Sequence, residues 1–319
     1  MTDRENLIKL IRFDHPERVM SYIPEYSMYY KGCHHDDFEG RGHHSPVGTV
    51  WNDIWGTEWH KDLPDVMGFP RKFPLEELEN LDSYSAPDID DPKYSGQVYT
   101  QRKDFKGGDV FLTGSHRDTL WERAYMLVGM ENMMVYFYTE PQLVKKLLHK
   151  IMDFQIKVAQ HYVKNGVEVL YLGDDMGTQS SLLLGRQIIE EFLVPEYRRL
   201  MDFYKDKNVI IDFHSCGHVE EILDIFIDLG IDILNPIQAS ANNAETIIKK
   251  TQGKIALQGG ISSNILLNGS KEDIQNEVKT KISIFGKDGG YICGPDQSMP
   301  YTKESIAIMN EAIDRWGRY

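Results

Sequence analysis

Residues 209–235 read VIIDFHSCGHVEEILDIFIDLGIDILN, and their pattern decides the fold class. VIIDF (209–213) is a short, β-branched apolar run suited to a buried strand. Residues 218–229 carry apolar side chains at helical spacing and stop at Gly230, the residue type that best tolerates the left-handed end of a helix. IDILN (231–235) reads as a strand again. A strand, a helix and a strand with short connections make a parallel βαβ unit.

The unit recurs on both sides. VEVLYLG (167–173), KIALQ (254–258) and GGYIC (289–293) read as strands. Helices are predicted over 187–205, where Pro195 breaks or kinks the run, over 242–250, over 271–285 behind an N-cap Ser270, and over 302–316 behind Thr302. Upstream, a helix over 142–165 begins at Pro141 and ends before Gly166, and VMSYI (19–23) and VFLTG (110–114) are candidate strands. Such alternation implies a parallel sheet covered by helices. An open doubly wound sheet would carry a glycine-rich nucleotide turn after its first strand, and none is present. The prediction is therefore α/β, a (β/α)8 TIM barrel forming one domain over 1–319. Residues 31–108, rich in His, Pro, Gly and Trp, are expected to build an elaborated N-terminal rim with short helices.

Composition narrows the function. The 319 residues are 41% hydrophobic and 26% charged, as in ordinary globular proteins, and the net charge is −14. An acidic surface repels phosphate backbones, so nucleic acid is not an expected partner. No stretch has the roughly 20 apolar residues of a membrane span, and MTDRENLIKLIRFDHPER does not read as a signal peptide. A cytoplasmic, membrane-free protein is expected. The three cysteines, Cys33, Cys216 and Cys293, are too few and too odd in number for a disulfide framework.

Chemistry concentrates at strand ends. Val209, Ile211 and Phe213 share one face of their strand, and Ile210, Asp212, His214 and Cys216 share the other. That second face would look into the barrel and place His214 and Cys216 at the mouth, where barrel active sites are built. Cys293 ends the last strand. An imidazole and two thiolates are good zinc ligands, and three protein ligands leave one position open for chemistry. Asp212 is placed to orient the imidazole. A satisfied histidine beside an inert cysteine fits the same pattern, and spacing alone does not separate the two readings.

Three further groups are candidates. Asp174 and Asp175 follow strand 167–173 and can serve as catalytic acids or bases, or as a further ligand; an acidic helix N-terminus is the competing reading. Gln179, Asn235 and Gln238 offer amides to a substrate, as does a simple turn. Among Tyr22, Tyr26, Tyr29, Tyr30, Trp51, Trp55 and Trp59, which read mostly as packing, Tyr26 is the candidate pocket residue. Cys33-His34-His35, with His43 and His44, has no strand or helix to fix it and reads as an exposed loop.

The same stretches carry a family resemblance. TLWERAYMLVGMENMM (119–134), YLGDDMGTQSSLLL (171–184), DFHSCGHV (212–219), DILNPIQ (232–238), ALQGGIS (256–262) and GGYICGPDQSMP (289–300) resemble the uroporphyrinogen decarboxylase superfamily, whose fold is a (β/α)8 barrel. Its decarboxylases use no metal and hold their substrate's carboxylates with an arginine-rich N-terminal loop. The corresponding ERVMSYIPEYSMYYKG (17–32) has only Arg18. The other branch, the cobamide-dependent methyltransferases, carries a H-x-C…C zinc motif that His214, Cys216 and Cys293 match. The resemblance implies Zn2+ on those three residues. It also implies a corrinoid co-substrate, either methylcobalamin or a separate corrinoid protein, and a small-molecule methyl donor or thiol acceptor. A divergent aromatic rim leans toward transfer from a methyl ether to corrinoid. The rivals are a metal-free decarboxylase and a non-catalytic corrinoid-binding barrel.

Overall fold

The computed structural model describes residues 1–64 and 66–319. Among the described residues, ten strands run in chain order: β1 Glu25–Met28, β2 Val50–Asn52, β3 Glu58–His60, β4 Phe69–Lys72, β5 Phe111–His116, β6 Val169–Gly173, β7 Ile210–His214, β8 Ile233–Ile237, β9 Ala256–Ile261 and β10 Tyr291–Pro295. Seven of them form one parallel sheet in the order β1-β5-β6-β7-β8-β9-β10. The sheet curls until Met20, in the segment leading into β1, bridges Ile292 of β10. The Cys293 N–H donates to the Met20 carbonyl at 2.7 Å. The architecture is an α/β barrel of the TIM type.

Side-chain alternation sorts the sheet into two faces. Met20, Phe111, Val169, Ile233, Ala256 and Ile292 form an inner cluster. Leu7, Leu10 and Ile11 of the first helix, Asp3–Ile11, join it and plug the N-terminal end of the barrel. Leu112, Leu170, Leu172, Ile211, Phe213, Leu234, Leu257 and Tyr291 face outward and pack beneath the surrounding helices in the larger core. Burying that face supplies most of the driving force for closure.

The helices obey their local signals. Ser270 caps Lys271–Phe285 with a reciprocal Ser270–Asp273 capping box, and Thr302 caps Lys303–Trp316. Gly230 ends Leu223–Leu229 at φ 77°. Pro195 begins the helix Val194–Tyr204, and the turn before it, Ile189–Leu193, widens to a π-helix. The expected break is thus absorbed without interrupting the rod.

Two expectations are corrected. The first strand lies at Glu25–Met28, not 19–23, because Pro24 stops the earlier run and its carbonyl accepts from the Phe111 N–H at 2.8 Å, starting the ladder with β5. The N-terminal rim is more than loop and short helix: β2, β3 and β4 form an antiparallel sheet, and a helix, Pro92–Asp104, packs against β1. The buried Arg123 bridges rim and barrel, pairing with Asp53 at 2.8 Å and Asp118 at 2.9 Å. No helix among the described residues is long and apolar enough to cross a membrane.

A candidate metal centre at the barrel mouth

β6 and β7 lie side by side with Tyr171 opposite Asp212 and Gly173 opposite His214. Beyond their ends, the loops 174–184 and 215–219 are clamped together. Gly177 and Gly217 meet backbone to backbone, and a Cβ on either would collide with the main chain of the other loop. Gly217 also holds φ at +82°, where only glycine is unstrained. The His218 N–H donates to the Thr178 carbonyl at 2.7 Å, and the Met176 N–H to Ser215 Oγ at 2.9 Å.

This clamp brings three chemical groups together. His214 Nε2 stands 3.4 Å from Cys216 Sγ and 3.5 Å from Asp175 Oδ1. Asp175 Oδ1 also accepts from the Cys216 N–H at 2.8 Å. The three donor atoms lie within 4.8 Å of one another. Tetrahedral zinc with bonds of about 2.0–2.3 Å needs ligand atoms roughly 3.3–3.8 Å apart, and the two distances from His214 Nε2 fall in that range. Burial pushes the His214 imidazole down, toward the neutral form that ligates metals. Burial and the neighbouring Asp175 push the Cys216 thiol up to about 12.

The imidazole is held from behind. His214 Nδ1 lies 3.0 Å from Asn235 Oδ1 and 2.9 Å from the Tyr171 hydroxyl. Since Asn235 Oδ1 only accepts, Nδ1 carries the proton and Nε2 is left free. Asn235 in turn donates through Nδ2 to the buried Asp212, whose carboxyl burial pushes up to about 7. Asp212 therefore supports His214 through Asn235, and not by direct contact as expected.

Other candidates fall elsewhere. Cys293 is fully buried and is not brought to this group. On β10 it shares the outward face with Tyr291, while Ile292 points in. The one-residue alternation of the strand thus turns it away from the mouth. Asp174 is fully buried as well. It accepts from the backbone N–H groups of Leu120 at 2.8 Å, Trp121 at 3.1 Å and Glu122 at 2.7 Å, and from the Tyr197 hydroxyl. It caps the helix Trp121–Val128 from a neighbouring loop, fully buried and away from the Asp175–His214–Cys216 group. Gln238 accepts from the Gly217 N–H at 2.9 Å and donates to Gln179 at 2.9 Å, so both amides brace the turn that carries Cys216. Tyr26 packs against Phe105, with ring centroids 5.4 Å apart, alongside the outer core.

Two groups went unrecognised in the sequence. The Gln297 carboxamide reaches Cys216 Sγ at 3.6 Å from beyond the end of β10. The stretch around His34 is no exposed loop: Cys33 and His35 are buried. His34 pairs through Nδ1 with the buried Asp118, and its carbonyl accepts from Arg123 at 3.0 Å. The cluster of histidines was the signal, but its anchor, Asp118, lies 84 residues further on.

A model of the uroporphyrinogen decarboxylase (URO-D) family matches residues 65–316. The chain belongs to the uroporphyrinogen decarboxylase family. Among relatives, this family member is 24% identical over 147 residues to the methylcobamide:CoM methyltransferase MtbA of Methanosarcina acetivorans, covering 46% of this chain and 42% of that one. The Methanosarcina mazei counterpart is 26% identical, with 44% and 41% covered. The chain thus spans less than half the length of these two relatives. A uroporphyrinogen decarboxylase of Mannheimia succiniciproducens is 25% identical over 286 residues, with 80% and 76% covered. Among solved structures, a methyltransferase from Methanosarcina mazei superposes with a TM-score of 0.73, covering 99% of each chain at 17% identity. At that identity the likeness speaks for the fold of this family member.

Proposed function

We propose that this chain is a zinc-dependent methyltransferase of a corrinoid system. It would move a methyl group between a small molecule and the cobalt of a corrinoid, either methylcobalamin or a corrinoid carried by a partner protein. The observation that carries the reading is the Asp175–His214–Cys216 group, a mixed O, N, S donor set at the barrel mouth. The methylcobamide:CoM methyltransferases among its relatives support the same chemistry.

Asp175, His214 and Cys216 would hold zinc, with the fourth position left to the substrate. When bound, zinc supplies a Lewis acid that lowers the pKa of a thiol acceptor or polarises the oxygen of a methyl ether. The chain's residues do the rest. Asn235 and Tyr171 fix the imidazole with Nε2 forward, Gln238 holds the Gly217 turn, and Gln297 flanks the thiol. We favour transfer from a methyl ether to corrinoid, because the N-terminal third of the chain is divergent and rich in aromatic residues.

A metal-free decarboxylase is supported by the longer alignment with the Mannheimia protein. It is disfavoured by Arg18, the one arginine of residues 17–32, which is spent on an ion pair with Asp3. The two readings part on one assay. The protein is incubated with Co(I) corrinoid and a panel of methyl ethers, and with methylcobalamin and a panel of thiols, while the visible spectrum is followed. Chelator-sensitive methylation or demethylation of the cobalt is expected. A protein that leaves every spectrum unchanged, yet decarboxylates a porphyrinogen in the presence of chelator, overturns the proposal.

A further inference from the structure

The histidine-rich stretch of the rim takes no part in the centre at the mouth, and His35 is its fixed member. His35 is 1% exposed. Its ring packs against Trp59, 5.3 Å between centroids, and against His34, at 4.1 Å. Among the described residues neither of its ring nitrogens has a hydrogen-bond partner. A neutral imidazole carries one donor and one acceptor, and burying both unmet is costly unless a ligand completes them.

Asp36 Oδ1 stands 3.8 Å from His35 Nε2. That is too long for a hydrogen bond and close to the separation of two ligands on one zinc ion. The chain then returns to the same oxygen. The His43 N–H donates to Asp36 Oδ1 at 3.3 Å. Gly42 passes so near that a Cβ there would fall 1.7 Å from it. The ring centroids of His35 and His43 are 6.3 Å apart, and two imidazoles sharing an ion hold theirs roughly 5–6.5 Å apart. His43 makes its hydrogen bonds through its main chain, which leaves its ring uncommitted. Burial brings the His35 imidazole down to about 3. Burial, His44 and Lys61 also lower His43. Both rings are therefore neutral, the form that ligates metals. The Lys61 ammonium is turned onto the carbonyls of His43 and Val66. His43 and His44 open onto a cavity of about 290 Å³, a route of entry from solvent.

We propose that His35, Asp36 and His43 form a second metal site, on the rim, for a divalent ion of the zinc class. Imidazole and carboxylate donors suit such an ion. Two of the three ligands stand ready, and His43 completes the set by rotating about its Cα–Cβ bond, since its ring is not yet within ligand reach of the pair. That rotation, and the nearby Lys61 charge, set the affinity in the micromolar range. Dialysed protein then keeps at most the ion at the mouth, and the rim ion is read by titration. The two sites share no ligand, so the rim site stands independently of the methyltransferase reading.

Zinc titration of the dialysed full chain against a chromophoric chelator tests it. Wild type is expected to take up one zinc beyond the ion at the mouth. Cys216→Ser, which removes the mouth site, should keep the rim ion. Asp36→Asn and His43→Ala should each weaken it by about 100-fold or more, beyond the loss of a supporting group, while His44→Ala changes it by no more than a few-fold. Amide exchange in residues 34–44 should slow when zinc is added to wild type or to Cys216→Ser, and not to Asp36→Asn. Matching circular dichroism and melting curves control for folding. No second zinc at millimolar metal overturns the proposal, as does a second zinc that survives both Asp36→Asn and His43→Ala. An ion lost in His44→Ala but kept by Asp36→Asn marks a surface histidine pair and overturns it equally.

Discussion

Asn235 Oδ1 sits 3.0 Å from His214 Nδ1, and this contact decides which imidazole nitrogen faces the barrel mouth. Asn235→Ala removes it and also strands the buried Asp212 carboxylate. Supports of this kind typically cost 10–100-fold in metal affinity when lost. Zinc affinity, measured by competition with a chromophoric chelator, should fall by about that factor while one metal still binds per chain. Unchanged affinity would show that Tyr171 alone orients the ring.

The placement of Cys293 sets the Asp175–His214–Cys216 group against the His214–Cys216–Cys293 set expected from the sequence. Zinc measured by mass spectrometry should be close to one per chain in wild type and in Cys293→Ser, and lost in His214→Ala and Cys216→Ser. Asp175→Asn should hold it weakly. Loss of zinc in Cys293→Ser without loss of fold would restore the thiolate to the metal.

Asp174 predicts a stability defect in place of a catalytic one. Asp174→Ala leaves three backbone N–H groups and the Tyr197 hydroxyl without their acceptor. Each buried orphan costs about 1–3 kcal/mol, so a loss of roughly 3–5 kcal/mol is expected in urea unfolding, allowing for partial relaxation. Asp174→Asn, which keeps one acceptor oxygen, should lose less. Wild-type stability in the alanine variant would mean that water replaces the carboxylate.

The clamp between loops gives a third kind of variant. Gly217→Ala adds a Cβ at positive φ against the backbone of the facing loop. It should both destabilise the fold, by about 2 kcal/mol or more, and displace Cys216. Gly177→Ala should do the same from the other side. Crystal structures or zinc titrations showing either variant intact would argue that the loops can part.

His116 sets an acid limit. It is fully buried between Gln155 and Tyr204, at 2.8 and 3.0 Å, and burial lowers it from 6.5 to about 4. The unfolded chain therefore takes up a proton at pH values where the fold refuses it. Stability is complete above about pH 6.5 and declines as pH falls from there toward 4, by at most about 1.4 kcal/mol per unit for this group. His116→Gln should flatten that slope in urea melts between pH 7 and 4. An equal slope in the variant would assign it to other groups.

Much of the barrel was legible because its signals are local. Six of the seven expected strands, and the caps Ser270 and Thr302, follow from alternation and from single side chains. Likewise, placing Ile210, Asp212 and His214 on one face needed only the period of two. What failed to show depends on distance or phase. Cys293 lies on the right strand, but in its middle and on its outer face, a matter of phase. The antiparallel rim strands are three or four residues long, too short for any period to show. Asp174 looks like Asp175 in sequence, and only the arrival of Leu120, Trp121 and Glu122 from another strand end makes it a cap. His34 acquires its fixed place from Asp118 and Arg123, far along the chain.

The glycine-to-glycine contact has a consequence for how this scaffold can change. Two loops whose main chains touch cannot drift independently, since a longer or bulkier sequence in one needs a matching retreat in the other. Diversification is cheaper away from that contact, on the β1–β5 side of the mouth. A mutational library aimed at new methyl donors should leave residues 174–178 and 214–218 untouched and vary the β1–β5 side instead.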